Sequence, residues 1–218
     1  MLTLAIEAAT YSGSVAVVDG DRVLAQCEVE MRGERAERLM PAVAATLETA
    51  RTPPEALARV VCGSGPGSFT SLRIAASIAK GIAHARRRPL YALPSLLLMV
   101  AAEARGPGRY LGILDAMRGD VFAACYEVTA DGGIIEVAPA ALARKDVTGD
   151  LAAALRARPI GPGETTVALP RASGAARLAA WLDLLRPVDA ATWEPDYGRL
   201  AEAQVRWERA HGRPLQAP

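Results

Sequence analysis

Lysine is almost absent from this sequence: Lys80 and Lys145 are the only two, so 23 of its 25 basic residues are arginines. Against 24 acidic residues the formal charge is +1, which argues against a free-standing protein that grips nucleic acid by charge alone. Arginine in place of lysine, beside abundant alanine, reads as coding bias, so Arg86-Arg87-Arg88 is expected to be an exposed helix end. Histidine is as scarce, and His84 and His211 have no neighbouring ligands at metal spacing, so no metal site is expected. Cys27, Cys62 and Cys125 are too few and too scattered for a disulfide scaffold, and are expected as reduced thiols in cytoplasm. No apolar run approaches the ~18 residues of a membrane helix, so no membrane partner is expected. No basic region opens the chain and Glu7 interrupts its first apolar stretch, so a strand is expected there rather than a signal peptide. A Gly-x-Ser-x-Gly elbow, a P-loop Gly-Lys-Ser/Thr and a cysteine in an electropositive helix start are missing as well. These absences weigh against a self-sufficient enzyme.

What is present is a globular pattern, 51% hydrophobic and 22% charged over 218 residues, enough for one large domain or two small ones. Leu2–Ile6, Ser14–Val18 and Arg22–Val29 read as three antiparallel strands, the last two joined through Asp19-Gly20. From Glu34 to Ala50 the apolar spacing becomes helical, with Pro41 either kinking the helix or marking its true start. Val60–Cys62 is a buried strand, Gly63–Gly67 a tight turn, Phe69–Ala85 a helix, Pro89–Leu93 a strand and Ser95–Ala104 a third helix. Gly106-Pro107-Gly108 is the expected boundary, and beyond it the order begins again. Leu111–Ala116, Val121–Val128 and Ile134–Val137 read as strands, 140–156 and 172–186 as helical, and 187–198 as loop. The expectation is a two-lobed α/β protein with mixed sheets, of the actin-like (ribonuclease H-like) kind. Its lobes would span 1–105 and 106–199, the first completed by a helix over 200–211.

Gly63-Ser64-Gly65-Pro66-Gly67-Ser68-Phe69-Thr70-Ser71-Leu72-Arg73 is the most informative stretch. A glycine-rich turn entering a helix can present N–H groups to an anion, or it can be a structural turn with Ser68 as N-cap. On the helix behind it, Arg73, Ser77, Lys80 and His84 form a narrow polar stripe flanked by Ile74, Ile78 and Ile82. Its apolar arc is roughly 200° wide against the roughly 100° of an ordinary surface helix, so it is expected to be covered on two sides. The second cover is either this chain or a partner protein. Glu7, Asp115 and Asp120 sit at strand ends or turns, where an actin-like fold would place nucleotide or metal ligands.

Leu4–Thr10, Arg35–Pro41 and Gly65–Ile74, with Asp115–Phe122 and Pro195–Arg199 less closely, resemble the bacterial TsaB (YeaZ) family. The resemblance covers nearly the whole chain and rests most on Gly-Pro-Gly-Ser-Phe-Thr. It implies a non-catalytic subunit needed for threonylcarbamoyl transfer to the adenosine beside the anticodon of tRNA. Such a subunit pairs with the transferase TsaD, works with the ATPase TsaE, self-associates through the same surface and reaches tRNA only through the complex. Carried over, the partner contacts would be Glu34, Arg35, Arg38, Leu39, Pro41, Ser68, Phe69, Thr70, Leu72, Arg73, Ala76, Ser77 and Lys80. A large charged residue at Ala76 or Ala79 is then expected to abolish pairing while leaving the fold intact. A weaker nucleotide set would be Glu7, Thr10, Ser12, Gly65 and Gly67, with no cofactor held by this chain alone and ATP or ADP at the partner interface.

The sequence departs from the family at Glu7, usually Asp, at Arg35-Ala36, commonly His-Ser, and at Ser71 and Ala75, usually Gly. Glu7 weakens actin-type nucleotide binding, and Ser71 and Ala75 add bulk to a helix meant for close approach. The competing reading is an actin-fold ATP-dependent transferase or hydrolase with its own nucleotide site. The old glycoprotease label of the wider family finds no metal-binding or catalytic residues here.

Overall fold

A computed structural model describes residues 1–31, 37–199 and 210–212. Two five-stranded sheets carry the chain. In the first, β1 (Leu2–Glu7), β2 (Ser12–Asp19) and β3 (Arg22–Glu30) are antiparallel, while β4 (Arg59–Gly63) and β5 (Leu90–Leu93) extend the other edge in parallel, giving the order β3-β2-β1-β4-β5. The second repeats that plan with β6 (Gly108–Asp115), β7 (Asp120–Val128), β8 (Ile134–Arg144), β9 (Ala157–Gly161) and β10 (Thr166–Val167), in the order β10-β9-β6-β7-β8. The twofold use of one topology is the two-lobed actin-like arrangement.

Period-two alternation sends β1 side chains to different cores. Leu4 and Ile6 pack beneath α1 (Leu39–Thr49) and α2 (Phe69–Arg86), while Ala5 faces the space between the sheets. That inter-sheet core holds α3 (Ser95–Glu103), whose residues from Ser95 to Ala101 are all buried, as its unbroken apolar sequence requires. The chain then returns to the first lobe. A 3-10 turn at Ala172–Ala176 packs on α3 and β2, the Ala172 N–H donates to Ser14 Oγ at 3.1 Å, and Arg171 reaches Glu28 and Glu103, each at 3.2 Å. On the outer face of the second sheet lies α4 (Thr148–Leu155).

Several local expectations shift. The hairpin loop is Gly20-Asp21, with Gly20 at φ +59 and Asp19 paired to Arg22 in the strands. The first helix starts at Leu39, so Pro41 lies in its first turn, where a missing N–H breaks no helical bond and no kink is needed. Residues 140–144 are strand, because Ala141 and Leu142 pair with Ala123 and Phe122 and tertiary pairing overrides alanine's helix preference. The helix expected over 172–186 is instead the 3-10 turn and a short α5 (Ala179–Leu184). Gly174 is pressed to the Leu98 carbonyl, which an added Cβ would meet at 2.4 Å. β9 and β10 escaped the sequence reading, since Pro159, Gly161 and the two-residue length of β10 give no strand pattern. The helix expected over 200–211 lies, apart from its last two residues, outside the described residues.

Candidate partner groove and inter-lobe cleft

The glycine-rich turn is built for packing. A Cβ on Gly63 would stand 1.7 Å from Glu7 Oε2, on Gly65 2.0 Å from the Asp196 carbonyl oxygen, and on Gly67 2.2 Å from the Ala9 carbonyl oxygen. Three of its N–H groups are engaged by the fold: Ser64 donates to the Leu93 carbonyl at 2.8 Å, Gly65 to Ser95 Oγ at 3.0 Å and Ser68 to the Ala9 carbonyl at 2.7 Å. Those three donors are turned into the fold. Ser68 occupies the N-cap position of α2 without capping it; its hydroxyl faces Ser71 Oγ at 3.1 Å.

Beneath the turn lies Glu7, fully buried at the end of β1. Ser95 Oγ donates to its Oε2 at 2.9 Å and the Ala9 N–H to its Oε1 at 2.5 Å. Loss of water pushes the carboxyl up from 4.5 to about 7, and those two donors oppose the shift. Gly65 N–H, Ser95 hydroxyl and Glu7 carboxyl thus form one chain of hydrogen bonds clamping the loop onto β1 and α3. Cys62 beside it is buried and pushed up by burial, the reverse of a reactive thiolate.

α2 presents several sides. Leu72, Ala75, Ala76, Ala79 and Ala83 are buried against the sheet. This corrects the contact set: Leu39 and Leu72 at 0% exposure and Ala76 at 4% belong to the chain's own core and offer a partner no side-chain surface. Arg38, Pro41, Phe69, Thr70, Arg73 and Ser77 are exposed, Ser68 and Lys80 are half-buried, and Glu34 and Arg35 lie outside the described residues. The polar stripe is partly covered in cis. Lys80 pairs with Glu194 at 3.0 Å and sits over the Trp193 ring, while Tyr197 packs on Phe69 with ring centroids 4.5 Å apart. The Pro195–Arg199 stretch is therefore a strap across α2 and the glycine turn, pinned by the Asp196 N–H to the Ser64 carbonyl at 2.8 Å.

The side of α2 facing α1 remains open. Met40, Val43, Ala44 and Leu47 of α1 and Ile78, Gly81, Ile82 and Ala85 of α2 line a groove of about 740 Å³. Of the expected contacts among the described residues, only Ser77 lines it. The Ile74-Ile78-Ile82 row beside the polar stripe was the available signal, and Gly81 between the last two is what opens the space.

A second cavity, about 710 Å³, lies between the lobes. It gathers Thr10, Ser12, Gly67 and Asp115; Gly65 is not among its lining residues, and Glu7 lies buried below. Asp115 accepts from the Met117 N–H at 2.9 Å, and Asp120 pairs with Arg199. Among the described residues no three His, Cys, Asp or Glu side chains group as metal ligands, and no helix is long and apolar enough to cross a membrane.

The family model described as TsaD, tRNA N6-adenosine threonylcarbamoyltransferase, matches residues 31–160, more than half of the chain. A tRNA threonylcarbamoyladenosine biosynthesis protein TsaB of Bacillus subtilis is 32% identical over 127 residues, 58% of this chain and 56% of that protein. The Escherichia coli protein of the same name is 35% identical over 134 residues, 61% and 58% of the respective chains. The chain thus spans just over half the length of these curated relatives. Over its length it is similar to the solved structure of YeaZ from Pseudomonas aeruginosa, with TM-score 0.72 and 25% identity, covering 90% of this chain and 99% of that one. A second Pseudomonas aeruginosa structure, an uncharacterized protein with similarity to peptidase YeaZ, gives TM-score 0.76 and 27% identity over 91% and 99%.

Proposed function

The chain belongs to the TsaB (YeaZ) family, and on that premise we propose that it serves threonylcarbamoyladenosine formation on tRNA as a non-catalytic subunit docking to a TsaD-type transferase. The observation that supports this is the open apolar groove between α1 and α2. An apolar groove left open on a soluble protein marks an interaction site. Gly81 and Ala85 keep its α2 wall low, so a partner helix can approach the backbone closely, and Met40, 45% exposed, supplies an adaptable apolar edge.

In this reading docking orders the partner and orients it for transfer. A second copy of the chain competes for the same groove as a homodimer. A TsaE-type ATPase joins the assembly, tRNA is reached through the complex, and ATP or ADP sits at the partner interface rather than on the glycine turn, where the Ser64, Gly65 and Ser68 N–H groups are engaged internally. Size-exclusion chromatography with light scattering, on the chain alone and mixed with the TsaD-type subunit of the same organism, tests the reading. A stable mixed complex that gains transferase activity is expected. A chain that stays apart and leaves the partner's activity unchanged overturns it, and metal-dependent ATP turnover by the isolated chain would favour an actin-fold enzyme instead.

A further inference from the structure

We propose that the end of the second lobe where β6 and β9 begin is a contact surface for the backbone of a structured RNA. Arg105 lies in the loop that leaves α3, Arg109 and Arg158 stand at the start of the paired strands β6 and β9, and Arg156 ends α4; all four are exposed. Arg109 is neutralised by Glu127 at 3.1 Å, and Glu103 nearby is held by Arg171 at 3.2 Å. Arg105, Arg156 and Arg158 have no carboxylate partner among the described residues, so a chain of formal charge +1 gathers three uncompensated cations at one pole. Asp115, which lines the inter-lobe cleft, ends β6 roughly 23 Å from its start, so the pole is separate from the cleft.

Arg158 is held in place without an acid. Its guanidinium lies 4.3 Å from the Tyr110 ring centroid, donates to the Pro107 carbonyl at 2.8 Å and crosses Gly108, where an added Cβ would stand 2.9 Å from Nη2. Tyr110 is fixed in turn by donating its hydroxyl to the Arg105 and Gly106 carbonyls. A carboxylate would cancel the charge; a ring and a carbonyl position the side chain and leave the charge intact. A planar guanidinium positioned in this way suits phosphate oxygens and the flat faces of unpaired bases. No large apolar side chain is exposed over residues 104–110 or 155–159, so a membrane surface would find no anchor there. The inference deepens the reading above: the chain contributes its own weak share of the RNA contact that the complex makes.

Fluorescence anisotropy of a labelled tRNA transcript, titrated with the full chain between about 20 and 150 mM salt, tests this. Saturable binding that weakens steeply with salt is expected. The double variant Arg105→Ala, Arg156→Ala removes no hydrogen bond or ion pair made by either side chain among the described residues. It should lower affinity by about tenfold or more at low salt and reduce the slope of log K against log salt by about 1–2, with the melting temperature unchanged. Arg87→Ala with Arg88→Ala, at the end of α2, should bind as the wild type does. No saturable binding by the wild type, an equal loss in the α2 variant, or equally tight binding of phosphatidylserine vesicles or polyglutamate overturns the proposal. Because the titration uses the chain alone, its failure leaves the docking of a TsaD-type partner untouched. Conversely, a wild type that binds RNA but forms no mixed complex overturns the docking and leaves the RNA surface standing.

Discussion

The two apolar sides of α2 differ in what a larger residue would meet. On the inner side Ala75 and Ala79 have no exposure and lie against the first sheet; on the outer side an added Cβ at Gly81 meets nothing within 4 Å. Both sides are rich in small residues, and from sequence they merge into one wide arc. Smallness means opposite things on them. Inside, it lets the helix lie close on a strand; outside, it leaves an open groove beside α1.

The sharpest way to break this contrast is Ala79→Arg. A cation forced into the sheet–helix core has no partner there and should destabilise the fold by about 3–5 kcal/mol, close to the whole stability of a marginal domain. Urea unfolding followed by circular dichroism measures it, and a wild-type midpoint would show that the inner face is not closed. Substitution at Ala79 therefore tests the core, not pairing.

Next comes the buried acid beneath the turn that leads into α2. The folded chain holds the Glu7 proton up to about pH 7, whereas the unfolded chain releases it near 4.5. Between those values the folded state binds more protons, so stability falls as pH rises through the window and levels off above it. The upper bound is about 3 kcal/mol. Urea midpoints at pH 5 and pH 8 should show this slope in the wild type and a flatter one in Glu7→Gln; equal slopes would place the ionised carboxylate in the fold at both pH values.

The smallest effect on stability belongs to Gly81→Arg. Replacing glycine by a good helix former at an exposed position should raise stability by about 0.5–1 kcal/mol while filling the groove. Light scattering should then find no mixed complex, although the melting temperature is unchanged or higher. Pairing that persists would move the interface away from α1 and α2.

How far the sequence could be read depended on where each signal lay. β1 to β5, α2 and α3 were legible because their periodicity and turn residues are local. The end of β8 was not, since a run of alanines adopts strand only because β7 lies alongside. In the candidate site, the glycine turn was visible but its purpose was not. Gly63, Gly65 and Gly67 answer to Glu7, Asp196 and Ala9, neighbours set by topology rather than spacing. The ion pair just before the strap is the clearest case: Lys80 and Glu194 are 114 positions apart, and nothing near either residue announces the pair.

The sequence by itself determined the repeated α/β plan, the family and the wide apolar arc of α2, because hydrophobic period and motif identity are properties of short segments. Only the tertiary structure decided which side of α2 is core and which is open, that the glycine turn is packed against Glu7, Asp196 and Ala9, and that Glu7 lies dry beneath it. Those outcomes depend on which distant groups exclude water from one another, and no segment specifies that alone.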